Sequence, residues 1–179
     1  MDKEEIWCAT LLTAYRYLPS VAKSIDKCIY ATALSGMNYL GSTESLLEKM
    51  IEINIRKEAI VNAKVLTDIC LNKLSESDEK VLKDKFFRGF NLQQIGREIN
   101  VSRRTAYRYY GRALHNMAAA MRSTNYNADW LESKLGNDPF MAPVKRKVTS
   151  MLRNITGREL YNAGRGDIMR KVQKKECNA

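Results

Sequence analysis

Hydrophobic positions between residues 74 and 117 recur every three or four residues, which predicts three consecutive helices. Asn91 is suited to cap the second helix, and a glutamine three residues later completes a capping box. Asn100 follows at a turn, because asparagine tolerates left-handed backbone, and Ser102 is placed to cap the third helix. Gly96 leaves room for these last two helices to cross closely. The pattern therefore predicts one helix followed by a helix-turn-helix.

The third of these helices has an apolar inner face and a basic outer face. Its inner positions are Ala106, Tyr109 or Tyr110, Ala113 and Leu114, and its outer positions are Arg103, Arg104, Tyr107, Arg108 and Arg112. No acidic residue occurs between Glu98 and Asp129. The second helix of a helix-turn-helix reaches base edges in the major groove, where arginine binds guanine through two hydrogen bonds. A solvated basic face is the alternative, but caps, turn and arginines together favour DNA binding.

These residues also carry a family resemblance. The stretch LSESDEKVLKDKFFRGFNLQQIGREINVSRRTAYRYYGRAL resembles region 4 of bacterial primary-type sigma factors, which reads the promoter −35 element. It is especially similar to sigma-like late-gene activators of phages and mobile elements in Gram-positive bacteria. The resemblance implies an RNA polymerase partner, through an apolar groove that docks the flap of the β subunit.

The resemblance also implies site residues. Base contacts are implied for Arg103, Arg104, Tyr107 and Arg108, and phosphate contacts near Asn91, Leu92, Gln93 and Arg97, with Arg112 as a further phosphate candidate. Ser102 and Thr105, at the start of the same helix, complete the candidate DNA-binding set. Many sigma factors carry an acidic residue where this chain has Arg103 and Arg104. The DNA sequence recognised therefore does not carry over.

The first helix of this unit is expected to start at a cap formed by Ser75 or Ser77, with Asp78 and Glu79 favouring its dipole. Gly89 is a plausible C-terminal cap. Three phenylalanines near its end, Phe86, Phe87 and Phe90, are expected in the core, and the alternative is that one of them contacts RNA polymerase.

In the preceding third of the chain, apolar spacing predicts two helices, over residues 4–18 and 20–33, and the first is expected to end at Pro19. A long helix is predicted from about Thr43 to Leu74, with Ser42 or Thr43 as its cap. Apolar spacing along the long helix picks out Leu47, Ile51, Ile55, Ala59, Asn62, Val65 and Ile69. At about 45 Å it exceeds what a small core covers. It is expected to pack on the first two helices, on a partner or on a second copy. A supporting bundle and an exposed docking or dimerisation stripe stay open, and a classical zipper is not supported because Asn62 interrupts the row.

Beyond Met121, residues 123–130 predict a linker, with a helix starting near Ala128 and ending at the glycine and prolines of residues 136–143. Residues 144–155 predict a short basic amphipathic helix, and a basic tail follows. This extension is expected either to add phosphate contacts or to act as a solubilising tail on a packed helix.

The chain is therefore predicted to be all-α, with an N-terminal helical bundle over residues 1–72, a sigma region 4-like helix-turn-helix domain over 73–122 and a basic, partly helical extension over 123–179. Of the formal charge of +10, the three parts carry −1, +6 and +5. The basic charge therefore lies in the helix-turn-helix and the residues after it, as expected of surfaces that face a polyanion.

Other classes of function find little support. The four cysteines form no CxxC pair and His115 is the only histidine, so no metal site is expected. Cys8, Cys28 and Cys70 fit apolar helical patterns and are expected to be buried. No nucleophile–base pair or carboxylate cluster suggests an enzyme such as a recombinase fragment, and no cofactor is expected. With no leader and no run of eighteen apolar residues, the chain is expected to be cytoplasmic, without membrane contact.

The leading hypothesis is thus a transcription regulator that reads promoter DNA through residues 102–112 and recruits RNA polymerase. A stand-alone activator is favoured over a complete sigma factor, because residues 1–70 lack the exposed aromatics of a −10-melting domain. The alternative is a phage terminase small subunit, which also joins a helix-turn-helix to oligomerising helices. A ring-shaped oligomer would favour that alternative, and a homodimer is compatible with the activator.

Overall fold

The computed structural model describes residues 2–35 and 42–153, and all the secondary structure in these residues is helical. The helices are α1 Lys3–Ala14, α2 Leu18–Ser35, α3 Thr43–Asn72, α4 Glu76–Phe86, α5 Leu92–Glu98, α6 Arg103–Arg122 and α7 Ala128–Leu135. A further helical run over residues 141–153 is called α8 here. The predicted all-α fold is confirmed.

The first two helices meet at a tight turn. The expected first helix, residues 4–18, ends earlier, at Ala14, and the Tyr17 N–H closes the turn on the Ala14 carbonyl at 2.8 Å. Pro19 does not end α1 but lies in the first turn of α2, where its missing N–H leaves no helical hydrogen bond unmade. Residues 36–41, between α2 and α3, lie outside the described residues.

The long helix is present as predicted, capped by Ser42, whose hydroxyl accepts the Ser45 N–H at 3.2 Å. Its core-facing side, however, is not the row picked out by spacing. Ala59, Ile60, Ala63 and Leu66 are buried, and of the predicted row only Ala59 is among them. The small side chains of Ala59 and Ala63 allow neighbouring helices to pack closely on this side.

One core joins the N-terminal helices to the helix-turn-helix. The buried cluster includes Trp7 and Leu11 of α1, Ile60 of α3, Met117 of α6 and Leu131 of α7. The C-terminal half of α6 is therefore held inside the protein. The proposed domain boundaries near residues 72 and 122 stay a prediction.

Burial of the cysteines was predicted correctly in two cases and wrongly in one. Cys8 and Cys70 are fully buried, and burial raises the pKa of Cys8 and raises that of Cys70 to about 11. Cys28 is exposed, because it lies to one side of the α2 face that Ile25 and Leu18 bury against the core. Cys177 is outside the described residues.

The last helix begins earlier than expected. Asp138 caps α8 by accepting the N–H groups of Phe140 and Met141 at 2.8 and 2.9 Å. Pro139 lies in the turn between Asp138 and α8, and Pro143 lies in the first turn of α8 rather than ending a loop. Residues 154 and 155 of the predicted helix lie outside the described residues.

Candidate nucleic-acid interface

The helix-turn-helix begins with a complete capping box at α5. The Asn91 side chain accepts the N–H groups of Gln93 and Gln94 at 3.0 and 2.9 Å, and the Gln94 side chain accepts the Asn91 N–H at 2.8 Å. Leu92, Ile95 and Gly96 are the buried residues of α5. This short helix of seven residues is thus held at its start by hydrogen bonds and along its inner side by packing.

The turn between α5 and α6 depends on two special residues. Asn100 has a φ of +54°, the left-handed conformation predicted from the sequence. The Val101 N–H then reaches back to the Gly96 carbonyl at 2.8 Å. A Cβ atom at Gly96 would lie 2.9 Å from the Val101 carbonyl oxygen and 3.5 Å from the Ala106 Cβ. Gly96 therefore lets the turn and the start of α6 fold onto α5.

The start of α6 is capped by Ser102, whose hydroxyl accepts the Thr105 N–H at 3.2 Å. The Ser102 and Thr105 hydroxyls are also 3.0 Å apart. No acidic residue occurs in the first turn, so nothing there offsets the positive end of the helix dipole. The end of the helix that points out of the protein is therefore electrostatically suited to a polyanion.

Basic side chains project from the first two turns of α6. Arg104 and Arg108 are exposed and make no ion pair or hydrogen bond with any described residue. Arg103 is also exposed, but its guanidinium lies 5.6 Å from the centre of the Tyr107 ring and donates to the Tyr107 hydroxyl at 3.4 Å. Tyr107 is half-buried, so it restricts the directions in which Arg103 extends. None of the three arginines forms an ion pair with a described residue, so these side chains form a cationic surface.

Candidates on α5 differ in what they offer. Gln93 and Arg97 are exposed, and Arg97 has no partner among the described residues. Leu92 is only 5% exposed, so its side chain belongs to the core and just its backbone N–H is available to a phosphate. The side-chain oxygen of Asn91 is occupied by the cap. Arg97 and Gln93 are therefore the side chains on α5 that extend the surface of α6.

Arg112 has a partner inside the protein. Its Nε and Nη2 atoms donate to the Asp78 carboxylate at 3.1 and 2.8 Å, and its guanidinium lies 4.9 Å from the centre of the Tyr109 ring. Asn116 donates to the second oxygen of Asp78 at 2.8 Å. Asp78 is 3% exposed. Burial favours its neutral form, but the hydrogen bonds from Arg112 and Asn116 outweigh burial and lower the pKa of Asp78.

This cluster fastens α4 to the middle of α6, and sequence reasoning missed it. Asp78 was interpreted only as a favourable charge in the first turn of α4, which it also is. The sequence does contain the partners, because Asp78 lies in one predicted helix, and Arg112 and Asn116 lie four residues apart in another. Sequence alone does not show which arginine faces which acid.

Aromatic contacts complete the support beneath α6. Phe86 packs on Tyr110, with ring centres 6.2 Å apart, and Phe87 stacks on Tyr15, just after α1, at 4.9 Å. Burial raises the pKa of Tyr110 to about 12. The inner face predicted for α6 is confirmed, with Tyr110 rather than Tyr109 buried. Phe86, Phe87 and Phe90 thus pack against the core and stay partly exposed, and contact of one of them with RNA polymerase stays a prediction.

A metal site and a membrane-spanning helix are both absent from the described residues. No group of three His, Cys, Asp or Glu side chains is placed to hold a metal ion there. None of the helices described is long and apolar enough to cross a membrane.

Comparison with known proteins agrees with the geometry. Residues 70–119 match the family model of sigma-70 region 4, which covers α4, α5 and most of α6. No curated protein and no solved structure matches the chain. The match covers less than a third of the sequence. Residues 70–119 are thus a sigma-70 region 4 domain, a non-catalytic DNA-binding helix-turn-helix, set within a larger helical protein.

Proposed function

We propose that the protein is a sequence-specific transcription regulator that reads promoter DNA with the first two turns of α6. One observation carries this proposal: Arg104 and Arg108 project, without partners among the described residues, from a helix whose other half is fixed in the core. A rigid, cationic helix end fits the major groove, about 12 Å wide.

Each candidate residue has a distinct role in this proposal. Arg104 and Arg108 read bases, and Arg103 does so in a direction limited by Tyr107. Arg97 and Gln93 contact phosphates and fix the register of the protein on the duplex. The backbone N–H groups that the caps leave free at the starts of α5 and α6 support the same contacts, with the Ser102 and Thr105 hydroxyls beside them. Arg112 contacts phosphate only with the part of its guanidinium that Asp78 leaves free.

RNA polymerase is the proposed protein partner, and a second copy of the chain is another. The proposal of polymerase follows from the sigma-70 region 4 match, and the chain would then act in the cytoplasm as an activator that recruits the enzyme. Kinship with regulators of phages or mobile elements is part of the same proposal. The polymerase partner is tested by capture of purified polymerase core on the full chain.

DNA recognition is tested by selection from a random duplex library with the full chain, repeated with Arg104→Ala and with Lys23→Ala. Lys23 is an exposed cation on α2 and controls for the loss of one positive charge. We expect a consensus from the wild type and from Lys23→Ala. Arg104→Ala should lose preference at one base pair and weaken binding to the consensus by roughly 5- to 150-fold, equivalent to about 1–3 kcal/mol. A wild type that yields no consensus would refute sequence-specific regulation.

A further inference from the structure

A row of six apolar side chains runs along one face of α3 and is called the α3 stripe here. Its members are Leu47, Ile51, Ile55, Val61, Val65 and Ile69. They are 41–58% exposed, and none belongs to the buried cluster of the described residues. Single exposed apolar side chains are ordinary, but a row about 33 Å long on one helix face, interrupted by Glu58 at its midpoint, is typical of an interaction surface.

The other described helices do not pack against the stripe. Those helices already pack on the other side of α3, against Ile60, Ala63 and Leu66. Arg56, about 160° round the helix from Glu58, binds Asp138 at 2.7 Å and so ties the start of α8 to the side away from the stripe. No helix of the described residues therefore covers the stripe.

The order of residues in the stripe is nearly the same in both directions. Glu58 is its midpoint. When a second copy runs antiparallel, Leu47 lies opposite Ile69, Ile51 opposite Val65, and Ile55 opposite Val61. The same register places Asn54 opposite Asn62, so that these two amides face each other, while Glu58 faces its own copy.

We propose that the α3 stripe binds the α3 stripe of a second copy of this chain in this antiparallel register. A two-fold dimer requires a patch that is complementary to itself, in which residue i contacts residue j and j contacts i. All six apolar side chains and both amides of the stripe meet that requirement. Asn62, which interrupts the row for a heptad zipper, thereby gains Asn54 of the second copy as a polar partner.

The size of the patch sets the strength of the dimer. A strip about 33 Å long and about 10 Å wide covers roughly 330 Å² in projection on each subunit. Stable interfaces bury about 800 Å² of accessible surface per partner, so this contact is at the weak end. Glu58, on the two-fold axis, faces its own copy and opposes association further. We therefore expect a dimer that dissociates at micromolar concentration.

The proposal is tested on the full chain, without DNA, by sedimentation equilibrium from about 1 to 300 µM. We expect a monomer–dimer equilibrium in the wild type, monomer in Ile51→Asp, and no change in Met151→Asp. Met151 is a matched control because it is an equally exposed apolar residue on α8. In Glu58→Gln, which removes the repulsion, we expect association about ten-fold tighter. Wild type and Glu58→Gln that both stay monomeric at 300 µM would overturn the proposal, as would a dimer that Ile51→Asp leaves intact.

The register is tested by the double substitution Asn54→Asp with Asn62→Lys. In the antiparallel dimer each new acid faces a new lysine, so association should tighten at low salt and return towards the wild-type value at high salt. In a parallel pair like charges would face each other and association would weaken, which would refute the register. Because DNA is absent from both tests, their outcome is independent of the proposed DNA contact.

Discussion

Removal of the Asp78 carboxylate should loosen α4 from α6 and lower the stability of the whole chain. Asp78 accepts two hydrogen bonds from Arg112 and one from Asn116, while it is almost completely buried. Hydrogen bonds to a charged group contribute about 1.5–3 kcal/mol each. The Arg112 side chain is 51% exposed, so water replaces part of what Asp78 supplies. We therefore expect Asp78→Ala to cost about 3 kcal/mol of unfolding free energy.

Urea unfolding followed by circular dichroism measures this cost, and a thermal scan should show a fall in Tm of about 6–12 °C. Glu79→Ala is the matched control. Glu79 lies in the same first turn of α4, but its partner Lys83, at 2.6 Å, is half-exposed. A pair of that kind contributes little, so the control should change stability by no more than about 0.5 kcal/mol. Equal effects of the two substitutions would refute the assigned role of Asp78.

Acid should remove the difference between wild type and Asp78→Ala. The folded pKa of Asp78 is lowered, so its contribution is complete above the pKa of the unfolded carboxyl, about 3.9. It is lost as the pH falls through the lower folded pKa. Unfolding curves of the two proteins should thus converge at the most acidic pH at which the chain stays folded, and a constant difference would contradict the assignment.

Three further predictions concern the turn and the DNA surface. Gly96→Ala should lower the free energy of unfolding in urea by about 1–3 kcal/mol, because the new Cβ atom meets the Val101 carbonyl oxygen. The control Gly111→Ala should raise it by about 0.5–1 kcal/mol, because no atom lies within 4 Å of the new Cβ there. Asn100→Gly should leave stability within about 1 kcal/mol of wild type and Asn100→Val should lower it by more, since only the branched side chain resists φ +54°. In fluorescence anisotropy with duplex DNA, Arg97→Ala should weaken binding about equally for all sequences and reduce the salt slope by about one, and a sequence-dependent loss would contradict a phosphate contact.

Local chemistry predicted the helix-turn-helix closely. The caps at Asn91 and Ser102, the left-handed Asn100 and the close approach at Gly96 are each decided within a few residues of the chain. Such features depend on backbone conformations that particular side chains permit or stabilise. The sequence therefore contains what is needed to place them.

Contacts between distant segments were less predictable. The apolar spacing of α3 identified a helix correctly but selected the exposed face rather than the core face, because α3 carries apolar residues on both. The pairing of Asp78 with Arg112 spans 34 residues and depends on how α4 crosses α6. The basic character of Arg112 suggested a phosphate contact, but charge alone does not distinguish a free arginine from one held by a buried carboxylate.

The two halves of α6 have different tasks, and their connection explains how a small cationic surface gains rigidity. At the far end of the helix Met117, Ala118 and Met121 are buried in the shared core. In its first two turns Ala106 and Tyr110 are buried against α4 and α5, and Arg104 and Arg108 are exposed. An α-helix transmits orientation along its length, so the N-terminal helices fix the direction of Arg104 and Arg108 without touching them. Recognition then loses little conformational entropy in the backbone, and binding energy is available for discrimination between bases. On this argument the N-terminal helices determine the precision of DNA reading as well as the stability of the fold.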